Sequence, residues 1–510
     1  MSAGPVTLDA VLRLRALATP DEPVLLYTRR PLARRSVSWA ALDRWADQVA
    51  RELHGLGFVP GARCALPLRD EPACLASMYG ALRASGVVIP IDLAWGDAAI
   101  ENVLRHADVD WIVGGKQDLQ SRAVFANSLP PRRVVRFAAL REGAVAPVDP
   151  KHGPEDLALI AFTSGTTSGP KGVMLTHRNL RAAYTAAHRH LDLGARRRFG
   201  CAFRLSGLGI LGMNYLFAHE CGAATVVLPE LTPATAPGFW ANVQRERIDF
   251  LYLVPPVVRA LNRLARRPAD RHPALLVVSS AAPISQAAME EFQDRFDVPL
   301  RNVYGLTEAS FAVFFGVLDC AGRGTVSIGP ARSLEARIVD RNDRPIEGPA
   351  EGQLEIRGPT VSMGYWKNSR ATAEIFHDGW LRTGDVAFRD GAGFFFIRGR
   401  SKEVVIRGGF SIHLAEVDEA LLAHPSVLEA AAVPVEDRLY GEGLLACVRV
   451  ADSGDPSIAD VLLRWARVRL GPSRAPRRIV VTEEPLPRTS TGKVVRSQVW
   501  EIILRNPADA

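Results

Sequence analysis

Two periodicities of apolar residues alternate along this chain, and their order sketches its architecture. Between 38 and 57, Trp39, Leu42, Trp45, Val49, Leu53 and Leu56 fall at helical spacing, and Ser38 stands where it can cap the first turn. Strands at 63–67, 87–91 and 110–113 then alternate with helices at 71–85 and 97–106. Such an order predicts parallel sheets covered by helices. The texture returns further on, with strands expected at 224–228, 250–254 and 274–279. From about 325 to 400 it changes to short β segments punctuated by Asp340-Arg341-Asn342-Asp343 and Asp390-Gly391-Ala392-Gly393. That predicts a small, mostly antiparallel subdomain. Beyond Arg400, helices at 415–423 and 458–470 and strands at 427–434 and 444–450 form a compact α+β unit. At 510 residues the chain is too long for one core, so two or more domains of α/β class are expected.

Composition removes several function classes. Apolar content of 47% and charged content of 23% are those of an ordinary globular protein. No window holds 18 apolar residues and the first residues lack a signal-peptide layout, so a cytoplasmic protein with no membrane span is expected. The six cysteines lie far apart without a CxxC pair, which favours core packing over disulfides or zinc. The net charge of +7 would suit a polyanion, but the basic residues are scattered and Arg196–Arg198 is their longest run, so no nucleic-acid partner is expected. Arginine outnumbers lysine 56 to 6, and three of the six lysines, Lys171, Lys402 and Lys493, fall inside the motifs below.

Candidate chemistry centres on Thr163-Ser164-Gly165-Thr166-Thr167-Ser168-Gly169-Pro170-Lys171-Gly172. Glycines let backbone N–H groups converge on an anion, hydroxyls add donors and Lys171 adds charge, so this is a phosphate-holding loop. An apolar run at 157–162 enters it and Thr176-His177-Arg178-Asn179 leads into a helical pattern, so a strand is expected before the loop and a helix after it. The spacing is not that of a Walker loop, because only three residues separate Gly165 from Gly169 and Pro170 and Gly172 flank the lysine.

Four stretches accompany the loop: Tyr304-Gly305-Leu306-Thr307-Glu308, Trp380-Leu381-Arg382-Thr383-Gly384-Asp385, Gly399-Arg400-Ser401-Lys402 and Pro487-Arg488-Thr489-Ser490-Thr491-Gly492-Lys493. Together and in this order they resemble the adenylate-forming superfamily, in its acyl-CoA synthetase branch, across nearly the whole chain. The resemblance implies a large N-terminal domain (1–398) of two parallel-sheet α/β subdomains plus a small β-rich subdomain, a hinge (399–402) and a small mobile α+β C-terminal domain (403–510). It implies ATP, Mg²⁺ and CoA: a carboxylic acid becomes an acyl adenylate with loss of pyrophosphate, and the CoA thiol displaces AMP. Carried across by position, Thr163, Ser164, Gly165, Thr166, Thr167 and Lys171 would hold the β- and γ-phosphates. Glu308 would coordinate Mg²⁺, with Thr307 near the α-phosphate. Asp385 and Arg400 would hold the ribose, and Tyr304, Gly305 and Ala281-Ala282-Pro283 would flank the adenine. Lys493 would bridge the reacting carboxylate and α-phosphate, Lys402 matches the hinge, and Gly408-Gly409 would border the CoA channel.

Two positions depart from the pattern. Amino-acid-activating relatives place Asp, and acyl- and aryl-CoA ligases commonly His, where this chain has Arg204, which disfavours an ammonium-bearing substrate. Arg204 would meet an anionic or carbonyl group or a CoA phosphate, or pair with an acid such as Glu220 or Glu308. Ser280 stands where ligases usually have Gly before Ala-Ala-Pro, either a mild steric change or a sign of weak adenylation with retained thioesterification of a supplied acyl adenylate. Gly207, Gly209 and Gly212 with Phe311 and its apolar neighbours outline an acyl pocket for a bulky hydrophobic acid. Gly207-Leu208-Gly209-Ile210-Leu211-Gly212, with Glu230 downstream, also matches a dinucleotide fingerprint, a remote NAD-dependent alternative. The expected protein is an acyl-CoA ligase whose partners are a small acid or acyl adenylate. A thioesterifying enzyme served by an adenylating partner, or an enzyme loading a carrier protein, is the alternative; the oligomeric state is open.

Overall fold

A computed structural model describes residues 6–28, 35–115, 119, 122–130, 133–137, 143, 145–163, 170–193, 198–268, 275–319, 322, 324–407, 410–437, 441–451, 457–489 and 493–505. The chain divides into two compact units, one of 1–335 with 357–381 and one of 336–356 with 382–510.

The larger unit holds two sheets built on one plan. In the first, the parallel strands Val134–Phe137, Trp111–Gly115, Arg63–Pro67, Val87–Ile91 and Leu157–Thr163 lie in that order, and Lys171–Thr176 closes the edge antiparallel to Leu157–Thr163. In the second, Leu300–Tyr304, Leu276–Ser279, Phe250–Leu253, Arg198–Cys201, Ala224–Val227 and Pro23–Tyr27 run parallel, with short antiparallel strands at both edges. Every residue of Val87–Ile91 is buried, as a strand covered on both faces requires. The helix Trp39–Gly55 starts where its spacing predicts, and the Ser38 side chain accepts from the Ala41 N–H. Cys64, Cys74, Cys201, Cys221 and Cys447 are buried, as expected of core packing; Cys320 lies outside the described residues. Among the described residues no helix is long and apolar enough to cross a membrane.

The strand expected before the loop at 164–169 and the helix expected after it are both present, but the strand is also half of a hairpin. Lys171–Thr176 pairs back on Leu157–Thr163, with Thr163 opposite Lys171, before the helix His177–His190 begins. Thr176 and Asn179 form a capping box at that helix, so the polar run does mark its start.

The smaller unit carries two sheets. One orders Phe394–Arg400, Trp380–Arg389, Ala350–Arg357 and Glu335–Val339. Both tetrapeptides expected as turns are turns, each closed by its leading Asp: Asp340 accepts from the Asn342 and Arg344 amides, and Asp390 from those of Ala392 and Phe394. The other sheet pairs Val427–Asp437 with Gly441–Val450 and adds Ile479–Thr482, packed under helices Leu414–Leu422 and Ile458–Leu470. The smaller unit resumes at Arg382 and so includes the hairpin in which Arg400 pairs with Asp385 and Gly399 with Val386.

Two buried imidazoles make the larger unit acid-sensitive. His177 stacks on His152 with ring centroids 4.5 Å apart and accepts the Leu8 N–H at Nδ1, while His152 reaches Asp9 at 3.0 Å. His219 lies between Trp39 and Tyr79, whose hydroxyl is 2.8 Å from its Nδ1. Burial, helped by the His152 charge, holds His177 down at about 4, and burial holds His219 down at about 3. Both folded values lie below the unfolded one, so the stabilisation is present above pH ~6.5 and is lost as pH falls toward those values. Between pH 7 and pH 5 the loss should be about 2 kcal/mol per imidazole. Urea midpoints at the two pH values measure it, and a flat profile contradicts it.

Candidate active site

The parallel strands Leu276–Ser279 and Leu300–Tyr304 lie side by side, so the segments that follow them emerge at one carboxyl edge. That edge is where open α/β sheets bind ligands. From the first strand comes Ser280-Ala281-Ala282-Pro283, and from the second Gly305-Leu306-Thr307-Glu308. Ser280 donates its N–H to the Leu253 carbonyl at 3.3 Å. The left-handed residue of this strip is Ala281, at φ +78°, not Ser280. Ser310 and Phe311 follow Glu308 at φ +64° and +123°, conformations that cost of order 1–3 kcal/mol each and are held only by over-determined surroundings. Here the Phe311 N–H bonds the Leu306 carbonyl, the Val313 N–H bonds that of Tyr304, and the Ser310 hydroxyl bonds that of Thr360. The loop folds so tightly that a Cβ on Gly305 would lie 1.5 Å from the Phe311 carbonyl oxygen.

The segment after Thr360 stitches this edge to the other sheet. Ser362 donates its N–H to the Glu308 carbonyl, Trp366 donates to that of Gly172, and the Asn179 amide nitrogen bonds the Pro359 and Val361 carbonyls. The stitching delivers Tyr365, whose hydroxyl donates to Glu308 Oε1 at 2.7 Å and whose ring lies 5.1 Å beneath Lys171 Nζ. Lys171, Tyr365 and Glu308 thus form one row. Sequence reasoning missed Tyr365; its only signal is an aromatic pair, Tyr365-Trp366, just before the helix-capping Asn368.

The glycines expected to wall an acyl pocket lie in a helical stretch that opens at Gly207–Ile210, widens to a π-helix at Leu211–Leu216 and closes at Phe217–Glu220. Such widenings occur frequently at functional sites. A Cβ on Gly212 would sit 3.5 Å from both the Phe311 ring and the Tyr184 hydroxyl, and one on Gly209 would sit 4.0 Å from the Tyr252 hydroxyl. Asp70 anchors this wall by accepting from the Leu205 N–H and the Tyr215 hydroxyl. Arg204 does not pair with Glu220 or Glu308: its side chain is 78% exposed and bonds Glu230 at 2.9 Å. Glu220 binds Arg181 instead, and Glu308 is held by Tyr365. Glu230, the acid of the supposed dinucleotide fingerprint, is therefore engaged by Arg204, and its glycines are helical.

In the smaller unit, Asp385 is nearly buried and accepts from Arg400 Nε at 2.9 Å across the hairpin. Its N–H bonds the buried Thr383 hydroxyl, and the Ser401 hydroxyl bonds the Gly384 carbonyl. Lys493 is exposed, and its backbone closes on Thr489 in both directions. Lys402 falls in the tight turn Ser401–Glu403, whereas Ser164, Gly165, Thr166, Thr167, Gly408 and Gly409 lie outside the described residues.

A family model described as AMP-binding enzyme matches residues 12–366, and one for the AMP-binding enzyme C-terminal domain matches 416–493. This chain belongs to the AMP-binding enzymes. A sulfoacetate–CoA ligase of Cupriavidus necator is 33% identical, with 96% of each chain covered. A feruloyl-CoA synthase of Amycolatopsis sp is 30% identical over 91% of this chain and 93% of its own. An anthranilate CoA ligase solved with anthranoyl-AMP shares the fold at TM-score 0.84 and 20% identity, over 98% of this chain and 97% of that one. This AMP-binding enzyme is thus an acid–thiol ligase of the acyl-CoA synthetase branch, and the nicotinamide alternative falls away.

Proposed function

We propose that this AMP-binding enzyme activates a bulky hydrophobic carboxylic acid with Mg-ATP and transfers the acyl group to CoA, in the cytoplasm. The observation that carries the substrate class is the helical wall at 207–216, where glycines face Phe311, Tyr184 and Tyr252 while the charge of Arg204 is turned to Glu230 at the surface. The acid's carboxylate oxygen attacks the α-phosphorus, the bond to the bridging oxygen breaks and pyrophosphate leaves. The CoA sulfur then attacks the acyl carbon, AMP leaves with the bonding pair and the thiol proton passes to solvent.

Lys171 gives the loop at 164–169 its positive charge on the β/γ side, and Asp385 with Arg400 binds the ribose. Lys493 supplies charge where carboxylate and α-phosphate meet. Glu308 suits Mg²⁺: one oxygen is fixed by Tyr365, and the other has no protein partner among the described residues, leaving a hard ligand oriented and available. Bound there, Mg²⁺ would neutralise phosphate charge. Tyr365→Phe keeps the ring but frees Glu308 to rotate, so the Mg²⁺ concentration needed for half-maximal pyrophosphate release should rise about tenfold, from the loss of one hydrogen bond to a charged group. An unchanged Mg²⁺ requirement would remove Tyr365 from the site.

The test of the function is an acid panel with ATP, with and without CoA, read by mass spectrometry for acyl-AMP and acyl-CoA separately. Turnover of aryl, fatty or polycyclic acids ahead of acetate and sulfoacetate is expected; preference for the short acids overturns the substrate class. A second reading rests on Ser280, whose hydroxymethyl stands just before the strained Ala281. If no acid yields acyl-AMP while supplied acyl-AMP is consumed, the enzyme is a thioesterifying partner of another adenylating enzyme, and Ser280→Gly should restore acyl-AMP formation. Acyl transfer to a carrier-protein thiol in place of CoA is read in the same assay.

A further inference from the structure

The smaller unit contains a guanidinium that no part of this mechanism uses. Arg496 begins the helix Arg496–Arg505, three residues beyond Lys493. It is largely buried, at 16% side-chain exposure, and reaches three other elements at once. One nitrogen binds Asp418 Oδ2 at 2.9 Å on the helix Leu414–Leu422, and another donates to the Ala432 carbonyl at 2.7 Å on the strand Val427–Asp437. Nε lies 3.3 Å from Glu403, the last residue of the turn that follows Arg400. Asp418 is itself fixed by the Ala432 N–H. The segment leading into Lys493 is tied down on its other side, where Arg488 binds Glu429 at 3.0 Å and the Leu486 N–H bonds the same carboxylate. Between these two arginines the chain closes a small hairpin: Arg488 bridges Val494, the Thr489 N–H bonds the Lys493 carbonyl, and the Val495 N–H bonds that of Pro487. Lys493 projects from it.

A buried arginine fork with two carboxylates and a carbonyl defines position to a fraction of an ångström, whereas a lysine there could satisfy one partner well. Glu403 is the informative partner. It is 39% exposed and adds little to core stability, yet it joins the turn at 401–403 to the loop bearing Lys493. We propose that Arg496 is a positioning residue for adenylation, setting the Lys493 loop and fastening it through Glu403 to the turn after Arg400, so that lysine and hinge move as one body. This rests on the reading above that Lys493 serves the adenylation step and that 399–402 is the hinge.

Arg496→Lys and Glu403→Gln test it, because both keep the volume and neither strips the site of every partner. Pyrophosphate release should fall about 30-fold in Arg496→Lys and several-fold in Glu403→Gln, with KM for ATP and acid within about twofold, since a misplaced catalytic group loses rate more than binding. Thioesterification of supplied acyl-AMP should stay within about twofold of wild type. Equal loss in both half-reactions assigns Arg496 a merely structural role and overturns the proposal, as does no loss in either variant. Amide exchange decides the matter independently of turnover: exchange at Thr489 and Val495 should quicken at least about tenfold in Arg496→Lys, and unchanged protection there overturns it. If wild type forms no acyl-AMP from any acid, the adenylation reading fails by itself, and the exchange measurement still tests the tie.

Discussion

Lys493→Ala should lower ATP-dependent pyrophosphate release about 10²–10³-fold, the usual cost of deleting one preorganised charge from a reacting centre. The first half-reaction brings a carboxylate against a phosphate, two anions whose approach is repulsive until a cation stands between them. Lys493 is an exposed ammonium on a short hairpin whose backbone is closed on Thr489. Removing it takes away charge without disturbing a core. The second half-reaction joins a thiol to an already activated carbonyl, so consumption of supplied acyl-AMP should change little. Lys493→Arg should rescue poorly, because a planar fork cannot place its charge where a single ammonium stands. Single-turnover measurement of the two halves decides the point, and parallel loss in both would mean that Lys493 is not specific to adenylation.

Gly305→Ala should be the most damaging single methyl in the larger unit's site. Its Cβ would lie 1.5 Å from the Phe311 oxygen, 2.4 Å from the Phe311 carbonyl carbon and 2.7 Å from the Ala312 Cα. These are backbone atoms pinned by the Phe311–Leu306 and Val313–Tyr304 hydrogen bonds, so no side chain can swing aside. Relief requires breaking the loop that sets Thr307 and Glu308. A loss of about 4 kcal/mol or more is expected, beyond an ordinary substitution, with adenylation abolished. Urea unfolding of the variant would show it, and a midpoint equal to wild type would mean that the loop is looser than its hydrogen bonds imply.

Much of this fold can be read from the residues because burial on both faces leaves a plain signature. Val87–Ile91 and Arg63–Pro67 are short apolar runs between helical patterns, and their bounds coincide with the expected strands. Helix Ile458–Leu470 does as well. The edge strand Lys171–Thr176 escaped notice because its partner, not its own period, defines it. Tyr365 escaped for a related reason: it sits in irregular chain, and only the hydrogen bonds of Ser362 and Trp366 aim it at Glu308. The pairing of Arg204 with Glu230 depends on where two loops finish, and no spacing rule connects residues that far apart. Motifs announce which atoms a reaction needs; tertiary contacts choose which of them are held still.

The hairpin around the phosphate loop has a consequence for how such a site can change. Because Thr163 faces Lys171 across paired strands, both ends of the intervening segment are anchored in a sheet edge. Lengthening a loop between fixed ends costs a fold little, about 0.6 kcal/mol per doubling. Insertions at 164–169 should therefore leave Lys171 in place and the protein folded, while disrupting the nucleotide contacts proposed for this segment. The loop is an exchangeable cassette: structurally tolerant, chemically intolerant, and so a place where variants would express well and turn over poorly.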